Sequence, residues 1–97
     1  MTFRFLEPAE AEFLEAIAYY SAIQAELGVR FQEAVAVAVG QAVEHPEHGS
    51  PRSKNTRRRL VKGFPFGVIY WSSKNEVVIV AVAHQRKRAD YWSKRIE

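Results

Sequence analysis

Residues 76–83 read EVVIVAVA, and the last seven of them form the longest apolar run of the chain. These side chains are all β-branched or small. Such a run is typical of a strand that is covered on both faces, because a half-exposed strand would alternate with polar residues. The polar turn 72–75 precedes it, and residues 64–71 form a second strand pattern. In that pattern one face carries four apolar residues, Phe64, Phe66, Val68 and Tyr70.

The rest of the chain supplies a helical hairpin and two further strands. The pattern predicts a short strand over residues 3–7, helices over residues 8–27 and 30–44, a loop over residues 45–51 and a strand over residues 58–62. This order indicates a single α+β domain that comprises all 97 residues, 1–97. An N-terminal short strand and an antiparallel helical hairpin are expected to pack on a C-terminal antiparallel three-strand meander.

Three residues are expected to shape the hairpin. Pro8 suits the first turn of a helix, where its missing N–H costs nothing. Gly28 is expected to end the first helix, which leaves a two-residue link and makes the helices antiparallel. Gly40 costs about 1 kcal/mol in a helix relative to alanine, so we expect a close approach of the two helices there.

The composition restricts the classes of protein that are possible. The chain is 47% hydrophobic and has no cysteine, which excludes disulfides and cysteine–zinc sites. The start, MTFRFLEPAE, lacks the pattern of a signal peptide. Every apolar run is far shorter than the ~20 residues of a membrane-spanning helix. We expect a soluble, cytoplasmic protein without a membrane partner.

Charge is divided between the two halves of the chain. Residues 1–50 carry eight acidic and two basic side chains, whereas residues 51–97 carry twelve basic and three acidic ones. The basic half predicts a polyanionic partner, because clustered cations raise a positive potential. The alternative is that the two halves neutralise each other within the fold.

Four segments form a combination that spans nearly the whole chain. They are residues 15–20 with Leu27-Gly28 and Phe31; His45-Pro46 with Gly49; residues 59–61 with Phe64-Pro65 and Ile69-Tyr70; and residues 81–88 with Tyr91-Trp92. In this order they resemble the RelE/ParE superfamily of small bacterial toxins from toxin–antitoxin modules. The resemblance implies a cognate antitoxin protein as partner and no cofactor.

The resemblance leaves three functions open. The first is a toxin that inhibits a target by binding it, for example DNA gyrase. The second is a metal-independent endoribonuclease that cuts mRNA on the ribosome, and the third is an inactive member that only binds its antitoxin. Ribonuclease members usually have an arginine where this chain has Gly67. This difference favours the first and third functions, whereas the basic C-terminal segment favours the first two.

Metal-free RNA cleavage needs groups that accept and donate protons, and cations that stabilise the phosphate. The C-terminal segment supplies four catalytic candidates, His84, Arg86, Arg88 and Tyr91. A histidine side chain can accept or donate a proton, and the arginines can bind phosphate oxygens in a fork. Each has a structural alternative, since His84 can bond to the backbone at a strand end and the arginines can form a solvated turn.

A second set is a candidate for binding nucleic acid or a protein target. It comprises Arg57, Arg59, Lys62 and Trp92. Arg58 is expected to face away from its two neighbours, because side chains alternate along a strand. Tyr91 or Trp92 can stack on a base, worth about 1–3 kcal/mol, or cap the edge of the core. The antitoxin is expected to cover residues 57–62 or residues 86–92.

One grouping of metal-ligand residue types occurs, at His45, Glu47 and His48. These residues lie in a predicted loop that contains Pro46, and no further ligand type accompanies them in the pattern. The sequence therefore predicts no metal site.

Overall fold

The computed structural model describes residues 1–96. Its helices and strands are β1 (Thr2–Phe5), α1 (Glu7–Ile23), α2 (Ala25–Glu44), β2 (Ser50–Arg52), β3 (Thr56–Val61), β4 (Phe66–Ser72) and β5 (Glu76–His84). Two 3-10 turns, Pro46–His48 and Ser93–Ile96, follow α2 and close the described part. Neither helix in residues 1–96 combines the length and the low charge that crossing a membrane requires.

The strands form one mixed sheet in the order β1-β5-β4-β3-β2. β2, β3, β4 and β5 are antiparallel neighbours, whereas β1 runs parallel to β5. The helical hairpin covers one face, so the predicted α+β fold of short strand, hairpin and meander is confirmed. The predicted loop 45–51 is partly wrong, because its end belongs to β2. Pro51 is tolerated there because β2 is an edge strand.

Both faces of β5 are buried, as its apolar run predicts. Val77 and Val82 pack into the cluster formed with the helices. On the opposite face, called the outer face below, Val80 and Ala81 pack with Trp92 from the end of the chain. Each fully buried valine of this kind contributes about 1.5–3 kcal/mol, so β5 is a principal source of core stability.

A β-bulge changes the face on which part of β5 lies. The pairing of β4 with β5 shifts by one residue between Ile69 and Tyr70, which leaves Val80 as the extra residue. Strict alternation along β5 would place His84 on one face with Val78, Val80 and Val82, but in the structure it shares a face with Val82 and not with Val80. Because of the bulge, the His84 ring lies on the helix-bearing face, against Phe66.

The turn between the helices lies earlier than predicted. α1 ends at Ile23, and Gln24 alone separates it from α2. Gln24 has an extended backbone (φ −162°, ψ 130°), which breaks the helical hydrogen bonding. The prediction that Gly28 ends the first helix is therefore wrong, since Gly28 lies buried inside α2.

The helices approach closely at Gly28 and not at Gly40. A Cβ atom on Gly28 would clash with Ser21 Oγ of α1 and lie 3.1 Å from Ser21 Cα. Gly40 is exposed, and a Cβ atom there would meet no atom of residues 1–96 within 4 Å. The expected close approach at Gly40 is therefore wrong, and the glycine that the hairpin requires is Gly28.

Gly28→Ala is expected to lower the free energy of unfolding by about 1–3 kcal/mol, because the added methyl group overpacks the helix contact. Gly40→Ala is the matched control and should raise it by up to about 1 kcal/mol, because alanine is the better helix former. Urea denaturation of both variants measures these changes. Equal effects of the two substitutions would contradict the assigned contact.

Candidate functional site

β5 extends beyond its neighbour β1, so part of its edge has no partner strand. β1 pairs with β5 only as far as Ile79, whose carbonyl also accepts a hydrogen bond from the Leu6 N–H. Beyond that point lie the Val80 carbonyl and the Val82 N–H. Buried backbone groups must be paired, so these two need partners from outside the sheet.

Two side chains take the place of the missing strand. A carboxylate oxygen of Glu12 accepts a hydrogen bond from the Val82 N–H at 3.0 Å, and Arg95 donates to the Val80 carbonyl at 3.0 Å. Glu12 and Arg95 also bind each other through two N–H···O contacts of 2.9 Å each. This bidentate pair, called the Glu12–Arg95 fork, has both side chains only 19% exposed.

Tyr91 completes the network by donating its hydroxyl hydrogen to Glu12 Oε2 at 2.6 Å. Burial alone would raise the pKa of Glu12, but hydrogen bonds from Arg95, Tyr91 and the Val82 N–H outweigh it and hold the pKa below its ordinary 4.5. Burial, together with the bond to the Glu12 carboxylate, raises the pKa of Tyr91 above its usual range. At neutral pH the network therefore holds an ionised carboxylate and a neutral phenol.

The fork fixes residues 85–96, called the tail, over one part of the outer face. There Trp92 is buried in a cluster with Ile69 and Ala81. The part of the outer face on β3 and β4 stays open and forms a cleft of about 840 Å³ beside the tail. Its cationic and imidazole lining consists of Arg52, Arg58, Lys62, His84, Lys87 and Arg88.

Arg58 crosses the floor of this cleft because Gly67 has no side chain. The register of β3 and β4 places Arg58 opposite Ile69 and Leu60 opposite Gly67, all on the outer face. A Cβ atom on Gly67 would lie 2.8 Å from Arg58 Cδ and 2.9 Å from Arg58 Cγ. Gly67 thus leaves room for the stem of Arg58, which brings a guanidinium group to β4 from the neighbouring strand.

The positive charge of the cleft exceeds its negative charge, because Asp90 is the one acidic residue of its lining within residues 1–96. No carboxylate of that part of the chain forms an ion pair with Arg58, Lys62 or Arg88. Arg58 Nε is buried and has no acceptor among the described residues. Burial, followed by the nearby charge of Arg52, lowers the pKa of Arg58. An anionic ligand would supply both the missing acceptor and the missing charge.

His84 lies at the rim of the cleft and is held by the backbone. Its Nδ1 accepts a hydrogen bond from the Arg86 N–H at 3.0 Å, and its ring packs edge-on against Phe66. A neutral imidazole that accepts at Nδ1 carries its proton on Nε2. His84 therefore offers a hydrogen-bond donor, and not a proton acceptor, at its second nitrogen.

The structure brings together five of the eight residues predicted for a site. The cleft is lined by Lys62, His84, Arg88, Tyr91 and Trp92. Two of these five have structural roles as well, since Trp92 is 3% exposed and Tyr91 bonds to Glu12. The ring of Trp92 is therefore not available for stacking on a base.

The other three predicted residues lie outside the cleft. Arg57 and Arg59 are on the helix-bearing face, where Arg57 donates to the Gly49 carbonyl at 2.8 Å and Arg59 to Gln41 at 3.5 Å. The Arg86 side chain is exposed and does not line the cleft. The cleft therefore contains only some of the predicted catalytic candidates and only some of the predicted binding candidates.

Arg58 faces away from Arg57 and Arg59, as strand alternation predicted, but the cleft lies on the face that carries Arg58. The sequence does not show which face of β3 points to the core, because Leu60 and Val61 are both apolar and point to opposite faces. In the structure Val61 is 1% exposed and Leu60 is 68% exposed, so Arg58 shares the open face with Leu60. Only the packing of α2 against β3 determines which of these two faces is buried.

A second surface, not predicted from the sequence, lies on the helical hairpin. Five of its large apolar side chains are more than half exposed: Leu14, Tyr19, Ile23, Val29 and Val37. Exposed apolar side chains indicate a protein–protein contact surface where they form a contiguous patch.

Comparisons with known proteins agree with this fold. Residues 3–89 match the family described as ParE toxin of type II toxin-antitoxin system, parDE. A solved structure of the chromosomal ParDE toxin–antitoxin system from P. aeruginosa is similar, with a TM-score of 0.74 and 15% identity. The similarity covers 87% of this chain and 95% of that one, and at this identity it concerns the fold alone. No curated protein sequence matches the chain.

Glu12→Gln is expected to lower the free energy of unfolding at pH 7 by about 1–3 kcal/mol, because it removes the charge from four hydrogen bonds, which come from three residues. The pKa of Glu12 is depressed in the folded chain, so its contribution is present above the ordinary pKa and is lost as the pH falls through the folded value. The difference between the parent and the variant should therefore shrink below about pH 4.5. Urea denaturation at several pH values between 7 and 3 measures this difference in the free energy of unfolding.

Glu15→Gln is the control for this comparison, because Glu15 is an exposed glutamate of the same helix. It should change the free energy of unfolding by less than about 0.5 kcal/mol. A difference for Glu12→Gln that stays constant from pH 7 to pH 3 would show that the charge of Glu12 does not stabilise the fold.

Proposed function

Because the chain belongs to the ParE toxin family of type II toxin–antitoxin systems, we propose that it arrests bacterial growth by binding DNA gyrase through its basic cleft. In this proposal the protein acts in the cytoplasm as an inhibitor that occupies its target and catalyses no step itself. The single observation that carries the proposal is the set of unpaired cations around Arg58.

The cleft suits binding better than proton transfer. Arg58, Lys62 and Arg88 provide charge and hydrogen-bond donors and have no carboxylate partner among the described residues. Such groups bind phosphate or carboxylate oxygens through charge-assisted hydrogen bonds. Gyrase offers both its own acidic side chains and the DNA that it holds, so a cationic cleft is complementary to the enzyme–DNA complex.

An mRNA endoribonuclease is the second candidate, favoured by the position of His84 beside Arg88 in one cleft. Two contacts count against it. His84 Nδ1 already accepts the Arg86 N–H, and the Tyr91 hydroxyl is bound to Glu12 with a raised pKa. Neither group is then free to take the proton from a ribose hydroxyl, which is the first requirement of metal-free cleavage.

The toxin–antitoxin module implies an antitoxin partner. We place an acidic segment of the antitoxin over the cleft, near residues 86–92, because the cations there have no carboxylate partner within residues 1–96. The exposed apolar side chains of the hairpin, such as Leu14 and Val37, offer a second surface, on the other side of the sheet, for an apolar segment of the same protein. Binding at both surfaces would keep the target out of the cleft.

Arg88→Ala and Arg86→Ala form a matched pair, because both remove one exposed arginine and only Arg88 lines the cleft. We expect Arg88→Ala to relieve growth arrest and to weaken inhibition of gyrase supercoiling by about tenfold, the effect of one lost charge-assisted hydrogen bond. Arg86→Ala should behave like the parent. Inhibition of purified gyrase at increasing toxin concentrations measures both variants.

Cellular mRNA ends mapped after expression of the parent separate the two candidate activities. Intact mRNA with inhibited supercoiling supports the binding mechanism. Rapid cleavage of mRNA with normal supercoiling would overturn it in favour of the nuclease.

Gly67→Ala tests the assigned position of Arg58. The added Cβ atom would displace the flexible stem of Arg58 and leave the β4 backbone in place. We expect weaker gyrase inhibition with a free energy of unfolding within about 1 kcal/mol of the parent, since only a surface side chain moves. Unchanged inhibition by Gly67→Ala together with unchanged inhibition by Arg58→Ala would remove Arg58 from the binding surface.

A further inference from the structure

The turn that follows α2 gathers three residues that can ligate a metal ion. His45 is the cap of α2, and Glu47 and His48 belong to the 3-10 turn Pro46–His48. Their potential ligand atoms all lie within 4.8 Å of one another. We propose that His45, Glu47 and His48 form a surface site for a divalent transition-metal ion of the zinc type.

The local geometry of this turn explains why the sequence pattern alone did not predict the site. A 3-10 turn has 3.0 residues per turn, so residues three apart lie on the same side. His45 and His48 have this spacing, and their rings are nearly parallel with centroids 4.7 Å apart. In a flexible loop the same residues would point in independent directions.

One pair of donor atoms has a spacing close to that of a tetrahedral site. His48 Nε2 and Glu47 Oε1 lie 3.6 Å apart. Two ligands at 2.0–2.1 Å from one zinc ion, at the tetrahedral angle, are separated by about 3.3 Å. The three side chains are exposed, so small rotations can close the remaining gap without disturbing the core.

Contacts with the sheet hold the backbone of the turn in place. The Pro46 carbonyl accepts a hydrogen bond from the Tyr70 hydroxyl at 2.7 Å, and the Gly49 carbonyl accepts one from Arg57 at 2.8 Å. Gly49 is buried, and a Cβ atom there would clash with the Tyr70 hydroxyl and lie 3.0 Å from Arg57 Cβ. Ordering of the turn is therefore already complete before a metal ion binds, which favours binding.

The donor set selects the class of metal. Two imidazoles and one carboxylate suit zinc, copper, nickel and iron, whereas magnesium and calcium prefer oxygen ligands alone. Three protein ligands leave at least one coordination position for water or for a group from a partner. The site is separate from the basic cleft, because Tyr70 and Arg57 lie on the helix-bearing face and Arg58 on the outer face.

Calorimetric titration with zinc tests the proposal, using the full-length chain prepared without a histidine tag. We expect one saturable zinc ion per chain. The double variant His45→Ala/His48→Ala should weaken zinc binding by at least about tenfold, and Glu47→Gln should weaken it less. His84→Ala is the matched control, because it removes the third histidine of the chain from the other site, and its zinc affinity should equal that of the parent.

Circular dichroism checks that the variants fold, which is expected because the substituted side chains are not in the core. Three outcomes would each overturn the proposal. They are the absence of saturable zinc binding by the parent, undiminished binding by the double variant, and a loss in His84→Ala as large as in the double variant.

Discussion

The Glu12–Arg95 fork is the interaction on which the rest of this structure depends, because it completes an interior strand that lacks a full neighbour. Glu12 comes from α1 and Arg95 from the tail, and each bonds to the backbone of β5 as well as to the other. One ion pair therefore joins the helices, the sheet and the end of the chain. Without it, the Val80 carbonyl and the Val82 N–H would be left unpaired in a buried setting, at a cost of about 1–3 kcal/mol each.

The functional surface follows from where the fork places the tail. Apolar packing around Trp92 covers the part of the outer face next to β5, and the part on β3 and β4 remains open. The tail then carries Lys87 and Arg88 to one side of the opening, while β3 supplies Arg58 from the floor. Most acidic side chains of residues 1–50 belong to the two helices, which pack on the opposite face of the sheet. The division of charge along the chain thus becomes a division in space, which leaves the cleft cationic.

The sequence was sufficient to predict the class of fold, because long patterns such as the apolar run of β5 depend on local chemistry alone. It was insufficient wherever a distant contact decides. Gly28 looked like a helix end, but its role is contact with Ser21 across the hairpin. The orientation of Arg58 away from Arg57 and Arg59 was predicted, but only packing against α2 shows that Val61 is buried and that the Arg58 face stays open. Glu12 and Arg95 are 83 positions apart, and no local pattern relates them.

Amide hydrogen exchange of the parent and of Arg95→Ala tests the central claim most directly, namely that the fork holds the tail on β5 and so shapes the cleft. The account predicts that the Val82 amide and the tail amides of Ser93 and Arg95 exchange much faster in the variant, because their hydrogen-bonded framework depends on the fork. Amides in the pairing of β3 with β4 should keep their protection. Retained protection at Val82 and throughout the tail of the variant would contradict the account.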